Sequence, residues 1–200
     1  MESKTLFEEL QWRGMVHQIT HPELPEKLSQ EKFNLYCGFD PTSDSLHIGS
    51  LLPIMGLVHF QRWGHTPIVL IGGGTGLIGD PSWKANERPL QSKEDVEKNV
   101  QGIKQQLAHF ISFSGENAAI MVNNADWLCE LKLVDFLRDI GKHFSINAML
   151  SKDAIRQRLE DREHGISYTE FTYCLLQSYD YLHLCKSHNC RLQIGGSDQW

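Results

Sequence analysis

The stretch 67–81, PIVLIGGGTGLIGDP, opens with a continuous apolar run at 67–72 and then runs on through glycine. A short run with no polar position suits a strand buried on both faces, as the centre of a parallel sheet requires. Residues 33–39, FNLYCGF, are β-prone with period-two character, and 118–123, AAIMVN, and 191–195, RLQIG, read as two more strands. Helical patterns lie at about 47–63, 92–112, 131–139 and 168–185. Strand and helix in alternation predict an α/β fold, a parallel sheet with flanking helices.

The unusual residues follow the strands directly. They are GFDPTSDSLHIGS (38–50), GGGTGLIGDPS (72–82), NNADW (123–127) and GGSDQW (195–200). In open α/β sheets ligands bind outside the carboxyl ends of the strands. Four polar or glycine-rich segments at four strand ends are therefore expected to meet at one site.

Composition sets the frame. The 200 residues, 40% hydrophobic and 22% charged, are those of a soluble globular chain of one domain. A net charge of −6 gives no global basic footprint, so any RNA contact must come from a local patch or from sequence beyond Trp200. The opening MESKTLFEELQWRG has no apolar signal region, and no apolar run approaches the ~20 residues needed to span a bilayer. Cys37, Cys129, Cys174, Cys185 and Cys190 are odd in number and contain no CxxC pair, which suits a reduced cytoplasm.

At the first strand end, Asp40-Pro41-Thr42 makes a turn, and Ser45 or Asp44 is expected to cap a helix opening at Leu46. The unpaired N–H groups and positive dipole end of a first helical turn suit a phosphate. His47 would sit in that turn, where a cation is disfavoured, and so reads as a neutral or ligand-paired donor. Gly49 costs about 1 kcal/mol inside a helix and permits a flat ring to lie against the backbone.

Gly74-Thr75-Gly76-Leu77-Ile78-Gly79 satisfies GxGxxG after a strand, the dinucleotide fingerprint. That motif must open a helix, which would make position 81 helix interior, and position 81 is proline, costing about 3 kcal/mol there. The glycines instead make a loop that approaches a ligand closely and delivers Asp80. Lys84 and Arg88 follow in the polar stretch SWKANERPL and on charge alone read as solvated surface.

Along the last helix, Tyr173, Gln177 and Asp180 are spaced i, i+4 and i+7 and share one face. Such a polar line faces solvent or lines a pocket, and the pattern by itself favours solvent. His183, Cys185, His188 and Cys190 form HxCxxHxC but straddle a helix end and a buried strand, so we assign no metal. A hydrolase triad has no GxSxG elbow to stand on.

Several of these segments carry a resemblance. His47-Ile48-Gly49-Ser50, after Cys37-Gly38-Phe39-Asp40-Pro41-Thr42, resembles the His-Ile-Gly-His signature of class I aminoacyl-tRNA synthetases. The helix YTEFTYCLLQSYDYL (168–182) resembles the tyrosine-binding helix of tyrosyl-tRNA synthetases. The last segment, GGSDQW (195–200), resembles the final strand-end loop of the same family. The resemblance covers essentially the whole chain. It implies a Rossmann-like class I catalytic domain over residues 1–200, incomplete at its C-terminus, because the family continues with a Lys-Met-Ser-Lys-Ser-type loop and anticodon-binding regions. By itself such a portion is expected to aminoacylate poorly or not at all.

What the resemblance implies about residues is specific. His47, Thr42, Lys84 and Arg88 would stabilise the ATP phosphates in the transition state, the two cations from a mobile loop. Contacts made only there raise the chemical rate rather than affinity. Cys37, Asp198 and Gly196 would meet the ribose beside Gly38, Asp40 would lie near ATP and the substrate amino group, and Gly49 would be the adenine platform. Ser50 stands where bacterial tyrosyl enzymes commonly have a second histidine; it keeps a hydroxyl and lacks the ring. Tyr173, Gln177 and Asp80 would take the tyrosine α-amino group, Tyr36 and Asp180 the phenolic hydroxyl, and Gln193 and Gln199 would border the pocket, with Asn123 and Asn124 beside it. A buried polar pair left empty by phenylalanine rejects it strongly, the tyrosyl enzymes being themselves a standing example of the effect. The tryptophanyl enzymes, the nearest sister family, have no reason to keep a Tyr36–Asp180 pair.

The implied reaction joins tyrosine and ATP into tyrosyl-adenylate and pyrophosphate, then transfers the tyrosyl group to tRNA(Tyr). The tyrosine carboxylate is already a nucleophile, so alignment and charge stabilisation suffice. Mg²⁺ is expected with the ATP. The amphipathic stretch 135–160 corresponds to a homodimer interface in the family.

Overall fold

A computed structural model describes residues 5–79, 92–151, 155–156, 159 and 166–197. Two helices that the sequence reading did not anticipate come first, α1 (Leu6–Trp12) and α2 (Leu24–Gln30). α1 is opened by a capping box in which the Glu8 N–H donates to Thr5 Oγ1 at 3.3 Å and the Thr5 N–H to Glu8 Oε2 at 2.8 Å. The alternation then follows as expected: β1 (Asn34–Phe39), α3 (Leu51–Arg62), β2 (Thr66–Ile71), α4 (Lys93–Leu107) and β3 (Ile120–Asn123). Three short helices, α5 (Ala125–Leu128), α6 (Leu133–Asp139) and α7 (Ile146–Leu150), precede α8 (Tyr168–His188) and β4 (Cys190–Gln193).

All pairings are parallel, in the order β3-β2-β1-β4. β2 lies inside the sheet, with Ile68 opposite both Tyr36 and Ile120, and the glycines break the chain where β2 ends. Strand periodicity then sorts the side chains onto two faces. Leu35, Cys37, Phe39, Val69 and Ile71 pack with apolar residues of α1, α3 and α4. Tyr36, Ile68 and Leu70 pack on the other face with Trp127, Leu184 and Cys190.

The strand order reverses at β1. β2 and β3 succeed it on one side, and β4 returns to the other. A crevice outside the carboxyl ends opens at such a switch point. α8 leads into β4 through one residue, Asn189, held in the left-handed conformation (φ 48°, ψ 37°) with its N–H donated to the Leu184 carbonyl. The Asn34 Nδ2 group donates to the His188 carbonyl at 2.7 Å and fixes the same corner to β1.

His65, just before β2, is fully buried against the Phe33 and Phe60 rings. Its Nδ1 accepts the Phe33 N–H at 3.0 Å, and burial, reinforced by the charge of Lys32, pushes its pKa down to about 4. A histidine depressed in the fold contributes stability that is complete above its unfolded pKa near 6.5 and is lost as pH falls toward 4. The integrated loss is on the order of 3 kcal/mol. Asp180, whose folded pKa is raised, works in the opposite sense over a similar range. The test is therefore a difference. The stability advantage of the parent over His65→Asn, from urea unfolding, should shrink by about that amount between pH 7 and 4.

Candidate functional site

Two buried or half-buried carboxylates organise the strand ends. Asp180, on the sheet-facing side of α8, is 1% exposed. Its Oδ1 accepts the Trp127 indole N–H at 2.7 Å and its Oδ2 accepts the Asn124 Nδ2 group at 2.9 Å. Asp40, at the end of β1, accepts the Tyr173 hydroxyl on Oδ2 and the Thr75 hydroxyl on Oδ1, both at 2.8 Å. The Asn124 Nδ2 group also donates to Thr75 Oγ1 at 3.1 Å, so the two carboxylates belong to one network. Asn124 Oδ1 in turn accepts the Gly74 N–H at 2.7 Å, which fixes which way the amide faces.

The glycines of the β2 loop make room for this network. A Cβ on Gly72 would collide with Asp40 Oδ1 and Thr75 Oγ1, and one on Gly73 with the Asn123 amide. The loop closes with a single 3-10 turn, Thr75–Leu77, and reaches Gly79 at φ 89°, so no helix grows out of the GxGxxG string itself. That loop is a packing surface for side chains from β1 and β3.

Burial pushes the Asp180 carboxyl up to about 6, against the two hydrogen bonds from Asn124 and Trp127 that favour its charge and with the nearby charge of Asp40 adding to the rise. The Tyr36 hydroxyl faces the same region. It is buried without a hydrogen-bond partner among the described residues. Burial first and the Asp180 charge second raise its pKa, so it stays protonated. An unsatisfied buried hydroxyl costs about 1–3 kcal/mol. Asp180 has lone pairs beyond the two in use. A hydroxyl that accepted from Tyr36 and donated to Asp180 would complete both.

The turn after β1 departs from expectation. The helix does not open at Leu46, and neither Ser45 nor Asp44 caps it: the Ser43 hydroxyl donates to Asp44 Oδ1 at 3.4 Å, while α3 begins at Leu51 after a 3-10 turn, Ile48–Ser50. The reason is Pro53. It is tolerated in a first turn but would sit in the interior of a helix begun at Leu46, at about 3 kcal/mol. His47 is thus the cap of the 3-10 turn, not a member of the first helical turn. Its Nδ1 accepts the Gly49 N–H at 3.0 Å and its carbonyl the Ser50 N–H at 2.9 Å, so the amides expected to be open are used locally. With Nδ1 accepting, the ring proton is on Nε2, and the exposed ring can donate outward. The flat ring resting against Gly49 is that of His47, which a Cβ would approach to 2.8 Å.

The polar line of α8 lies inward, contrary to the pattern's preference for solvent. Tyr173 and Asp180 are buried and Gln177 is half-buried. Gln193 is opposite Tyr36 in the β1–β4 register, and exposed Gly196 follows. Thr42, Gly38 and Gly49 are exposed, Ser50 is half-buried, and Cys37 is buried under the turn on the α3–α4 face. Asp80, Lys84, Arg88, Asp198 and Gln199 lie outside the described residues. Thr75 and Trp127 were not singled out from sequence, although both lie in strand-end segments.

The histidines and cysteines at the end of α8 are deployed separately. His183 stacks on Trp127 with ring centroids 4.2 Å apart, Cys185 is exposed, and His188 meets the Ser187 hydroxyl at 2.7 Å. Cys190 is buried in β4, which pushes its thiol up to about 11. Among the described residues no helix is long and apolar enough to cross a membrane.

Known proteins share this fold. The chain is 56% identical over 197 residues to the tyrosine–tRNA ligase of Roseiflexus castenholzii, covering 98% of this chain and 46% of that one. It is 57% identical over 199 residues to the tyrosine–tRNA ligase of Staphylococcus haemolyticus, covering 99% and 47% respectively. The chain thus spans a little under half the length of these curated relatives. A C-terminally truncated mitochondrial tyrosyl-tRNA synthetase from Aspergillus nidulans superposes with a TM-score of 0.89 at 31% identity, over 99% of this chain and 58% of that one. The model of the class I tRNA synthetases for tryptophan and tyrosine matches residues 28–200, and the chain belongs to that family.

Proposed function

We propose that the complete protein activates tyrosine with ATP and transfers it to tRNA(Tyr). The observation that carries the amino-acid choice is the buried Tyr36 hydroxyl beside the Asp180 carboxylate, one short of a donor–acceptor partner that a phenol supplies. An indole has no oxygen to accept from Tyr36, which weighs against the tryptophan branch of the family. The relatives' names favour the same branch.

The tyrosine α-amino group would lie toward Tyr173 and Gln177, with Asp40 at the junction of amino acid and nucleotide. ATP would enter over the exposed turn. Gly38 is exposed on the Tyr36 face, and a Cβ there would make only an ordinary contact, 3.8 Å from Leu70 Cδ2, so the fold itself does not require glycine. A close ligand supplies a reason for it. Cys37, Gly196 and Asp198 would border the ribose, Gly49 and Ser50 the adenine side, and Gln193, Gln199 and Asp80 the amino-acid rim.

In the reaction, a tyrosine carboxylate oxygen attacks the α-phosphorus, a bond to that oxygen forms, and the bond to the pyrophosphate bridging oxygen breaks. No proton need move, so the protein's task is alignment and charge stabilisation. His47 Nε2–H and the Thr42 hydroxyl would donate to phosphate oxygens, with Lys84 and Arg88 as their cationic partners. Mg²⁺ would arrive as part of the nucleotide substrate. The enzyme would work in the cytoplasm as a homodimer. Leu133 and Val134 of α6 are 70% and 73% exposed, and Ile146 of α7 is exposed beyond them, an apolar surface that a second copy would cover.

Tyrosine-dependent exchange of labelled pyrophosphate into ATP tests the activation step and its amino-acid choice. Exchange with tryptophan instead would move the protein to the sister branch. Asp180→Ala should raise the KM for tyrosine by roughly 100-fold or more, about 3 kcal/mol for a buried charged hydrogen bond, while ATP binding measured by calorimetry stays near parental.

A second expectation concerns pH. Asp180 titrates at about 6 in the fold, and only its charged form offers free acceptor capacity at both oxygens. The KM for tyrosine should therefore be flat above pH 7 and climb as pH falls through 6. A flat profile down to pH 5 would remove Asp180 from the phenol contact.

For the dimer, Val134→Asp should shift the complete protein toward monomer in sedimentation velocity. A dimer unchanged by that substitution would place the interface elsewhere.

A further inference from the structure

Residues 40–47 join β1 to the 3-10 turn without regular structure, yet they hold Thr42 and His47. Within them, the Thr42 N–H donates to the Asp40 carbonyl at 2.9 Å, and the Ser43 hydroxyl donates to Asp44 Oδ1. Helix α4 adds contacts of its own to those that Asp40 and His47 already make. The Asn99 Nδ2 group donates to the Pro41 carbonyl at 3.0 Å, at the head of the turn. Gln106 Oε1 accepts the Leu46 N–H at 2.8 Å, at its foot. Between them, the backbone carbonyl of Asp44 lies against Gly102, where any Cβ would collide with it.

Positions 99, 102 and 106 fall within an arc of about 60° on a helix advancing about 100° per residue. The adjacent stripe, Val96, Val100, Ile103 and Leu107, is buried against the sheet. α4 is therefore anchored on one side and grips the turn with the other. Gly102 in mid-helix sacrifices helix propensity, and the Asp44 carbonyl is the physical reason for it.

We propose that the Asn99–Gly102–Gln106 face of α4 is a positioning clamp for the nucleotide-facing turn. It touches no substrate. It holds the two backbone points, Pro41 and Leu46, that bracket Thr42 and immediately precede His47. The inference rests on the assignment of ATP to that turn. A displacement of about 1 Å in a group aligned for the transition state lowers rate by up to about 100-fold. Because Leu46 is only half-buried between exposed neighbours, water can take over its N–H when Gln106 is lost, so the effect falls on chemistry and not on folding.

The experiment is tyrosine-dependent pyrophosphate exchange by the complete protein, the Gln106→Leu and Gln106→Glu variants, and Gly102→Ala. Gln106→Leu should lower kcat roughly 10- to 100-fold, with the KM for tyrosine within about twofold and Tm within about 4 °C of the parent. Gln106→Glu, which keeps the acceptor oxygen, should recover most of the rate. Gly102→Ala pushes on the Asp44 carbonyl independently and should show the same loss in kcat with an unchanged KM for tyrosine. A parent without exchange refutes the ATP assignment on which the clamp rests. An active parent whose Gln106→Leu and Gly102→Ala variants match it refutes the clamp alone. So does a loss in Gln106→Leu that the glutamate variant fails to recover.

Discussion

The side-chain amide of Asn124 is the joint on which the strand ends depend. It donates to Asp180 and to Thr75, and it accepts from the Gly74 amide. Each of those partners belongs to a different element: α8, the 3-10 turn and the glycine loop after β2. Without the joint, the carboxylate of Asp180 would keep only the Trp127 indole, and Thr75 would lose its support where it donates to Asp40. A buried carboxylate is tolerated only when its lone pairs are met. Here they are met enough to keep it ionised at neutral pH but not enough to bring its pKa back to the ordinary range. The residual disadvantage to folding sits where a ligand would relieve it, a pattern common to functional sites.

The sheet brings the joint into being. Because strand residues alternate, Tyr36 and Cys37 leave the same strand toward opposite faces, one toward α8 and the other toward α3 and α4. Because β4 returns beside β1, the register sets Gln193 opposite Tyr36. The glycine loop follows the strand between β1 and β3, so both neighbours lean their polar side chains over it. Gly72 and Gly73 are empty where Asp40, Thr75 and Asn123 are full.

Much of this was legible in the chain. The four strands lie within a residue or two of the runs that announced them, since period and flanking glycine are local signals. The three-residue polar line of α8 is visible as a line; its inward direction follows from the resemblance to the tyrosine-binding helix and not from the pattern, because direction depends on what packs behind the helix. The Thr5–Glu8 capping box is readable as Thr-x-x-Glu. The start of α3 at Leu51, later than the turn signals suggest, is marked by Pro53 just as Pro81 marks the end of the glycine loop's helical prospects. The roles of Thr75, Asn124 and Trp127 were beyond reach for another reason. Their partners lie 35 to 56 positions away in sequence, and no local pattern records which amide a buried carboxylate will find.

One corner of the fold constrains how this chain can vary. Asn189 alone separates α8 from β4, and its left-handed turn leaves no slack between them. A residue inserted within α8 would rotate everything after it by about 100°, and a residue inserted at the corner would slide β4 past β1 and turn its side chains to the wrong face. From Tyr173 to Gln193 the segment therefore acts as a ruler, with the polar line of Tyr173, Gln177 and Asp180 at one end and a strand register at the other. Its letters are open to substitution at many positions, but its length is not.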